Sequence, residues 1–182
     1  MGLHFFKHLH TINKHRFKVF IYCTKCGVFW RGLVHDLSKY SPTEFFAGIK
    51  YYQGNRSPIG AQRRNEGYSK AWLHHKGRNR HHYEYWMDFS PVTSKYEPVK
   101  MPRVFLIEAF CDRISASKVY MKKNYTDASP LEYYLEKEKN ATINKETRLE
   151  LEALLNMLKD KGEKYTFKYI RKNRKKPNFP FE

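Results

Sequence analysis

The sequence lacks an apolar run long enough to span a bilayer: its most apolar stretch, 17–37, is interrupted by Lys18, Lys25, Arg31, His35 and Asp36. The N-terminus, MGLHFFKHLH, lacks the uninterrupted apolar core of a signal peptide, and Phe6 stands where a myristoylation motif needs Ser or Thr. Cysteine is scarce. Three in 182 residues, an odd number, argue against a disulfide framework and for a reducing compartment. Cys23 and Cys26 form a CxxC, but no second pair or nearby His pair completes a zinc ribbon, and they read as core residues of a helix. Strict apolar–polar alternation is also missing, so no strand or hairpin is expected. Together these absences predict a cytoplasmic protein with no membrane association.

Acidic residues are few as well: 18 Asp and Glu against 35 Lys and Arg give a formal net charge of +17. Such a field favours phosphate-bearing partners. The charge is spread along the chain, since removing RKNRKK (171–176) with its five positive residues still leaves about +12.

A chain of 182 residues, 41% of them hydrophobic, is long enough for one domain with a sizeable core. The apolar residues recur at helical spacing, as in Ile107, Phe110 and Ile114, or Leu151, Leu154, Leu155 and Leu158. SPTE (41–44) and SPLE (129–132) read as capping boxes with proline in the first turn, Pro58 and Pro102 mark two further helix starts, and Gly162 marks a stop. The expectation is an all-α, single compact helical domain of about seven helices over 1–170, followed by a basic tail, 171–182. Loops are expected near 54–57, 76–80 and 88–101.

Several polar residues stand where apolar ones belong. His8, Ile12, His15, Val19, Tyr22 and Cys26 are spaced by alternating fours and threes, which puts both histidines in line with core-facing residues. Each needs a partner, whether a carbonyl or something else. The next helix ends in GLVHDLSKY, where His35 and Asp36 project about 100° apart and an ion between them could be reached by both. Asp112 lies inside the apolar helix VFLIEAFCDRISAS; a carboxylate there needs Arg113, another cation or a metal, and the small Ser115 and Ala116 leave room beside it. AWLHHKGRNRHHYEYW (71–86) adds His74, His75, His81 and His82, with Gly77 and Asn79 suggesting a turn that lets both pairs face one pocket.

In order these are His15, His35-Asp36, the two histidine pairs and Asp112, a pattern that resembles the HD-domain superfamily of metal-dependent phosphohydrolases. The longer strings GLVHDLSKYSPTEF, KYYQGNRSP, AWLHHKGRNRHHYEYW, KMP and CDRISASK resemble those of an uncharacterised bacterial family of unknown function, over nearly the whole chain. The HD resemblance implies an HD-like helical domain with metal ligands at His15, His35, Asp36 and Asp112, and at one member of each pair, taken as His75 and His82. Imidazole and carboxylate donors suit one or two divalent transition metals, namely Mn, Fe, Co, Ni or Zn. Such an ion lowers the pKa of a bound water and polarises a phosphoryl oxygen.

The implied function is hydrolysis of a nucleotide or other small phosphorylated metabolite. Lys39, Lys76, Arg78, Arg80 and Lys118 are candidates for binding the phosphate. Asp36 and Glu84 are candidates for catalytic roles, Glu84 either as a base or by orienting a ligand histidine. Tyr68, Tyr83, Tyr85, Trp72 and Trp86 read as packing around the site. Two other readings stay open. One is an HD-like di-iron oxygenase. The other is a non-catalytic nucleic-acid-binding protein that uses the basic surface and the tail YIRKNRKKPNFPF.

Overall fold

A computed structural model describes residues 2–181, with side chains from His4 onward, and shows a mostly helical domain. Among the described residues there are eight α-helices: α1 (Gly2–Cys26), α2 (Phe29–Val34), α3 (Pro42–Lys50), α4 (Pro58–Glu66), α5 (Lys70–Lys76), α6 (Arg103–Met121), α7 (Ser129–Lys137) and α8 (Lys145–Asn173). None is long and apolar enough to cross a membrane.

The stripe on α1 organises the domain. His8, Ile12, His15, Val19, Tyr22 and Cys26 are all buried, as their spacing predicts. Below His15 the stripe joins the main core. There Val19, Tyr22, Cys23 and Cys26 pack with Leu106, Ile107, Phe110, Cys111 and Ile114 of α6 and with Leu151, Leu154, Leu155 and Leu158 of α8. The three cysteines are free thiols inside this core, with Cys111 Sγ 3.8 Å from Cys26 Sγ. Above His15 the stripe meets α3, where His8 lies between Phe45 and Tyr52 and its ring fills the space beside Gly48. A Cβ at residue 48 would lie 2.0 Å from His8 Nε2, so glycine is what admits the imidazole.

Three local expectations are corrected. First, residues 87–98 are not a loop: β1 (Met87–Ser90) and β2 (Lys95–Pro98) pair antiparallel, with Phe89 opposite Tyr96. The hairpin is exposed on most of both faces, so burial imposed no apolar alternation on its sequence. Second, Ser129 is the first residue of α7 rather than its cap; its Oγ instead accepts a hydrogen bond from the Thr126 amide. Third, Gly162 breaks α8 without ending it, with φ 76° and ψ 169°, and the helix resumes to Asn173. The basic C-terminal segment packs back on the domain. Phe179 is buried, and Arg103 donates to the carbonyls of Arg174, Lys176, Pro177 and Phe179.

His8 gives this part of the fold a pH signature. Burial, then the positive charge of Lys39, lowers its pKa from 6.5 to about 4. Between those values the unfolded chain binds the proton and the folded chain does not, so stability is lost as pH falls from 6.5 towards 4. Urea midpoints measured across this range should drop more for the wild type than for His8→Phe; parallel profiles would contradict the assignment.

Candidate metal centre

The site lies where α1, the turn after α2, α5 and the segment that follows it, and α6 converge. His15 comes from the middle of α1 and Asp112 from the middle of α6. His35 and Asp36 do not lie within a helix, contrary to the sequence expectation. α2 stops at Val34; His35 is extended, and Asp36 takes left-handed backbone angles, φ 53° and ψ 26°. For a residue with a Cβ this conformation costs roughly 1–2 kcal/mol, and a short polar side chain tolerates it best. The reversal brings both side chains to one point instead of 100° apart. Gly32 sets its position: a Cβ there would lie 2.8 Å from Cys23 Cβ, so α2 packs directly onto α1.

Two donor groups share Asp36. One comprises His15, His35, Asp36 and Asp112; the other comprises Asp36, His75, His81 and His82. His15 Nε2 is 2.9 Å from Asp112 Oδ1 and 3.6 Å from Asp36 Oδ2, while His35 Nε2 is 3.2 Å from the same Asp36 oxygen. On the other side His75 Nε2 and His81 Nε2 lie 3.3 and 3.6 Å from Asp36 Oδ1. His75 Nε2 and His82 Nε2 are 2.9 Å apart. Each oxygen of one buried carboxylate thus faces a different set of imidazoles. Trp72 packs on His75 and His82 and holds the second set in place.

Two outer carboxylates orient the rings. Glu108 Oε1 lies 3.0 Å from His35 Nδ1 and 3.2 Å from His81 Nδ1, and its other oxygen accepts from Arg31 Nε at 2.7 Å. Glu44 accepts from His74 Nδ1 at 2.6 Å and from His75 Nδ1 at 2.7 Å. A carboxylate on Nδ1 fixes the tautomer and turns the Nε2 lone pair towards the centre. Glu108 therefore acts from outside the donor groups, although its oxygens are close enough to His35 and His81 to form a third cluster with them.

The electrostatics keep the carboxylates of the centre ionised. Burial raises the Asp36 carboxyl, but His35, Lys39 and His75 outweigh it and hold it well below the usual range. Asp112 is likewise lowered, with burial opposed by His15 and His35. Burial pushes His35 down, but Asp36, then Asp112 and Glu108, raise it well above an ordinary imidazole. Burial opposes ionisation of Glu108 too, yet the hydrogen bond from His35 and the imidazole of His81 beside it bring it to about 2. His81 and His82 are lowered by burial and by neighbouring histidines, which favours their neutral, ligand-competent form. Asp36 Oδ1 and both ring nitrogens of His81 are buried without a hydrogen-bond partner. Converging lone pairs and orphaned acceptors are the arrangement a cation would complete.

All six sequence-selected ligands fall in the two donor groups, and His81 joins them. The HD resemblance implies a ligand at only one member of each pair, but residues 77–82 form no regular helix, so the adjacent His81 and His82 converge. Glu44 was read as the end of a capping box. Ser41 does cap α3, accepting from the Glu44 amide, but the Glu44 side chain reaches His74 and His75 instead. Glu108 lies four residues before Asp112 on the same face of α6, a spacing visible in the sequence. Arg113 does not neutralise Asp112; it pairs with Glu138 at 2.6 Å. The Ser115 hydroxyl donates back to the Cys111 carbonyl.

The remaining candidates divide. Lys39 stands in the centre, Nζ 2.7 Å from Asp36 Oδ2, with its pKa raised because Asp36 and Asp112 outweigh burial. Lys76 is partly buried at the end of α5, Arg78 approaches the His74 carbonyl, and Arg80 lies over Tyr85 and Phe105. Lys118 is engaged elsewhere, paired with Glu163 and lying over Tyr22 and Tyr125. Glu84 lies outside the donor groups, beside Tyr83, Arg113 and Glu138, and its pKa is raised mainly by burial.

Fold and site together define a helical protein built around a buried histidine and aspartate cluster. The profile of a family of unknown function (DUF5662) matches residues 4–157, and the chain belongs to that family. No curated protein and no solved structure matches it.

The geometry separates the four clustered histidines. His81→Ala should lower the metal retained after purification and dialysis, and Glu108→Gln should weaken metal affinity roughly 10- to 100-fold by loosening His35 and His81. His74→Ala should retain wild-type metal. Elemental mass spectrometry on folded variants checks this ranking; equal metal in the His74 and His81 variants would contradict it.

Proposed function

We propose that this protein is a cytoplasmic, metal-dependent phosphohydrolase with an HD-like site, acting on a nucleotide or another small phosphorylated metabolite. The observation that carries the reading is Asp36, whose two oxygens face two imidazole groups and so suit a carboxylate shared by two divalent ions. The first ion would be held by His15, His35, Asp36 and Asp112, and the second by Asp36, His75, His81 and His82. Bound there, such ions supply an activated water and polarise the phosphoryl oxygens.

The chain's own residues do the rest. The Asp112 side chain is 17% exposed and that of Lys39 30%, whereas those of Asp36, His35 and His81 are closed to solvent. The open edge of the centre therefore includes Asp112 and Lys39 on one side and the partly exposed His82 on the other, and substrate would enter there. Lys39 would exchange its contact with Asp36 for a phosphoryl oxygen. Arg31, Glu108 and Glu44 hold the imidazoles still, which limits reorganisation during the reaction.

A second reading draws on the five imidazoles in the two donor groups, which also suit iron and oxygen activation. The metal-supplemented wild type should release inorganic phosphate from at least one member of a panel of nucleotides and sugar phosphates. Asp36→Asn should abolish this, and Lys39→Met should raise KM about 10-fold or more with metal retained. Metal-loaded protein that releases no phosphate from any member sinks the proposal. Bound iron with a visible absorption band would then favour the oxygenase reading.

A further inference from the structure

The C-terminal end of the molecule carries a second feature, separate from the donor groups. Tyr165, Lys168, Tyr169, Lys172, Lys176, Phe179 and Phe181 contribute to an open groove of about 670 Å³ between the end of α8 and the segment folded back on it. That volume is in the range of ligand clefts. From 164 to 181 the sequence has seven Lys and Arg and no acidic residue. Lys164, Lys168 and Lys172 recur every fourth residue of α8, which aligns like charges and destabilises an isolated helix, and Lys176 follows in the segment after it. Lys168, Lys172 and Lys176 are exposed, and no ion pair among the described residues involves them.

Aromatic rings complete the groove. Tyr165 and Tyr169 are nearly parallel, 15° apart in plane with centroids 6.4 Å apart, and Tyr169 lies at 24° to Phe179. Tyr165 and Phe181 are each about half exposed. A lysine track beside exposed rings matches a ligand that alternates negative charge with flat apolar surface. We infer that this groove binds single-stranded nucleic acid, with phosphates on Lys168, Lys172 and Lys176 and bases stacked on Tyr165 and Phe181. Both halves of the chemistry are needed: lysines alone fit any polyanion, while exposed rings provide the stacking platform that a flexible single strand can reach and a duplex cannot.

The test is fluorescence anisotropy of a labelled 20-nucleotide oligothymidylate with the full chain. The wild type should bind with affinity that falls linearly with added salt on logarithmic axes. Lys168→Glu combined with Lys172→Glu should weaken binding at least 10-fold, and Tyr165→Ala roughly five-fold or more. A duplex of the same length should bind more weakly. EDTA and Asp36→Asn should leave the affinity unchanged, which keeps this inference separate from the metal centre. Absence of binding at low salt, or groove variants that bind like the wild type, would overturn it. So would capture by phosphatidylglycerol vesicles under conditions where the oligonucleotide stays free, which would assign the groove to a membrane surface.

Discussion

The carboxylate of Asp36, 1% exposed, is the point on which the other parts of the site depend. A buried carboxylate is costly unless cations or donors surround it on every side. Here Lys39 and the imidazoles of His15 and His35 face one oxygen, and His75 and His81 face the other. The backbone meets this demand with a left-handed residue at Asp36 and with α2 packed directly onto α1 at Gly32. α1 and α6 deliver His15 and Asp112 from one side, and α5 with the segment after it delivers three histidines from the other.

The outer contacts follow from the same constraint. An imidazole whose Nε2 must face the centre needs an acceptor for its Nδ1 proton; Glu108 supplies one to His35 and Glu44 one to His75, and Glu108 also stands 3.2 Å from His81 Nδ1. Glu108 is itself buried and is balanced by Arg31. The chain of dependence thus runs from Asp36 through the imidazoles to two glutamates and an arginine. The lower half of the domain, packed by α1, α6 and α8, holds these helices in register.

Much of this was legible in the sequence because helices write their buried faces at fixed spacing. The α1 stripe identified His15 as facing inward, and the apolar surroundings of Asp112 identified an unusual carboxylate. What was not legible depended on irregular backbone or distant contacts. The reversal at Asp36 has no periodic signature, so His35 and Asp36 appeared to diverge. Glu44 satisfied a local capping pattern, and only the tertiary fold sends its side chain to His74 and His75. Glu108 did leave a signal in its four-residue spacing from Asp112. The hairpin at 87–98 left almost none, since its exposed faces required no alternation.

The most direct test of the centre is anomalous X-ray diffraction at the metal edge from crystals of the protein grown with manganese, iron or zinc. Two peaks flanking Asp36, one near His15, His35 and Asp112 and one near His75, His81 and His82, are the predicted result. Loaded crystals with no anomalous peak beside Asp36 would contradict a metal centre at this position.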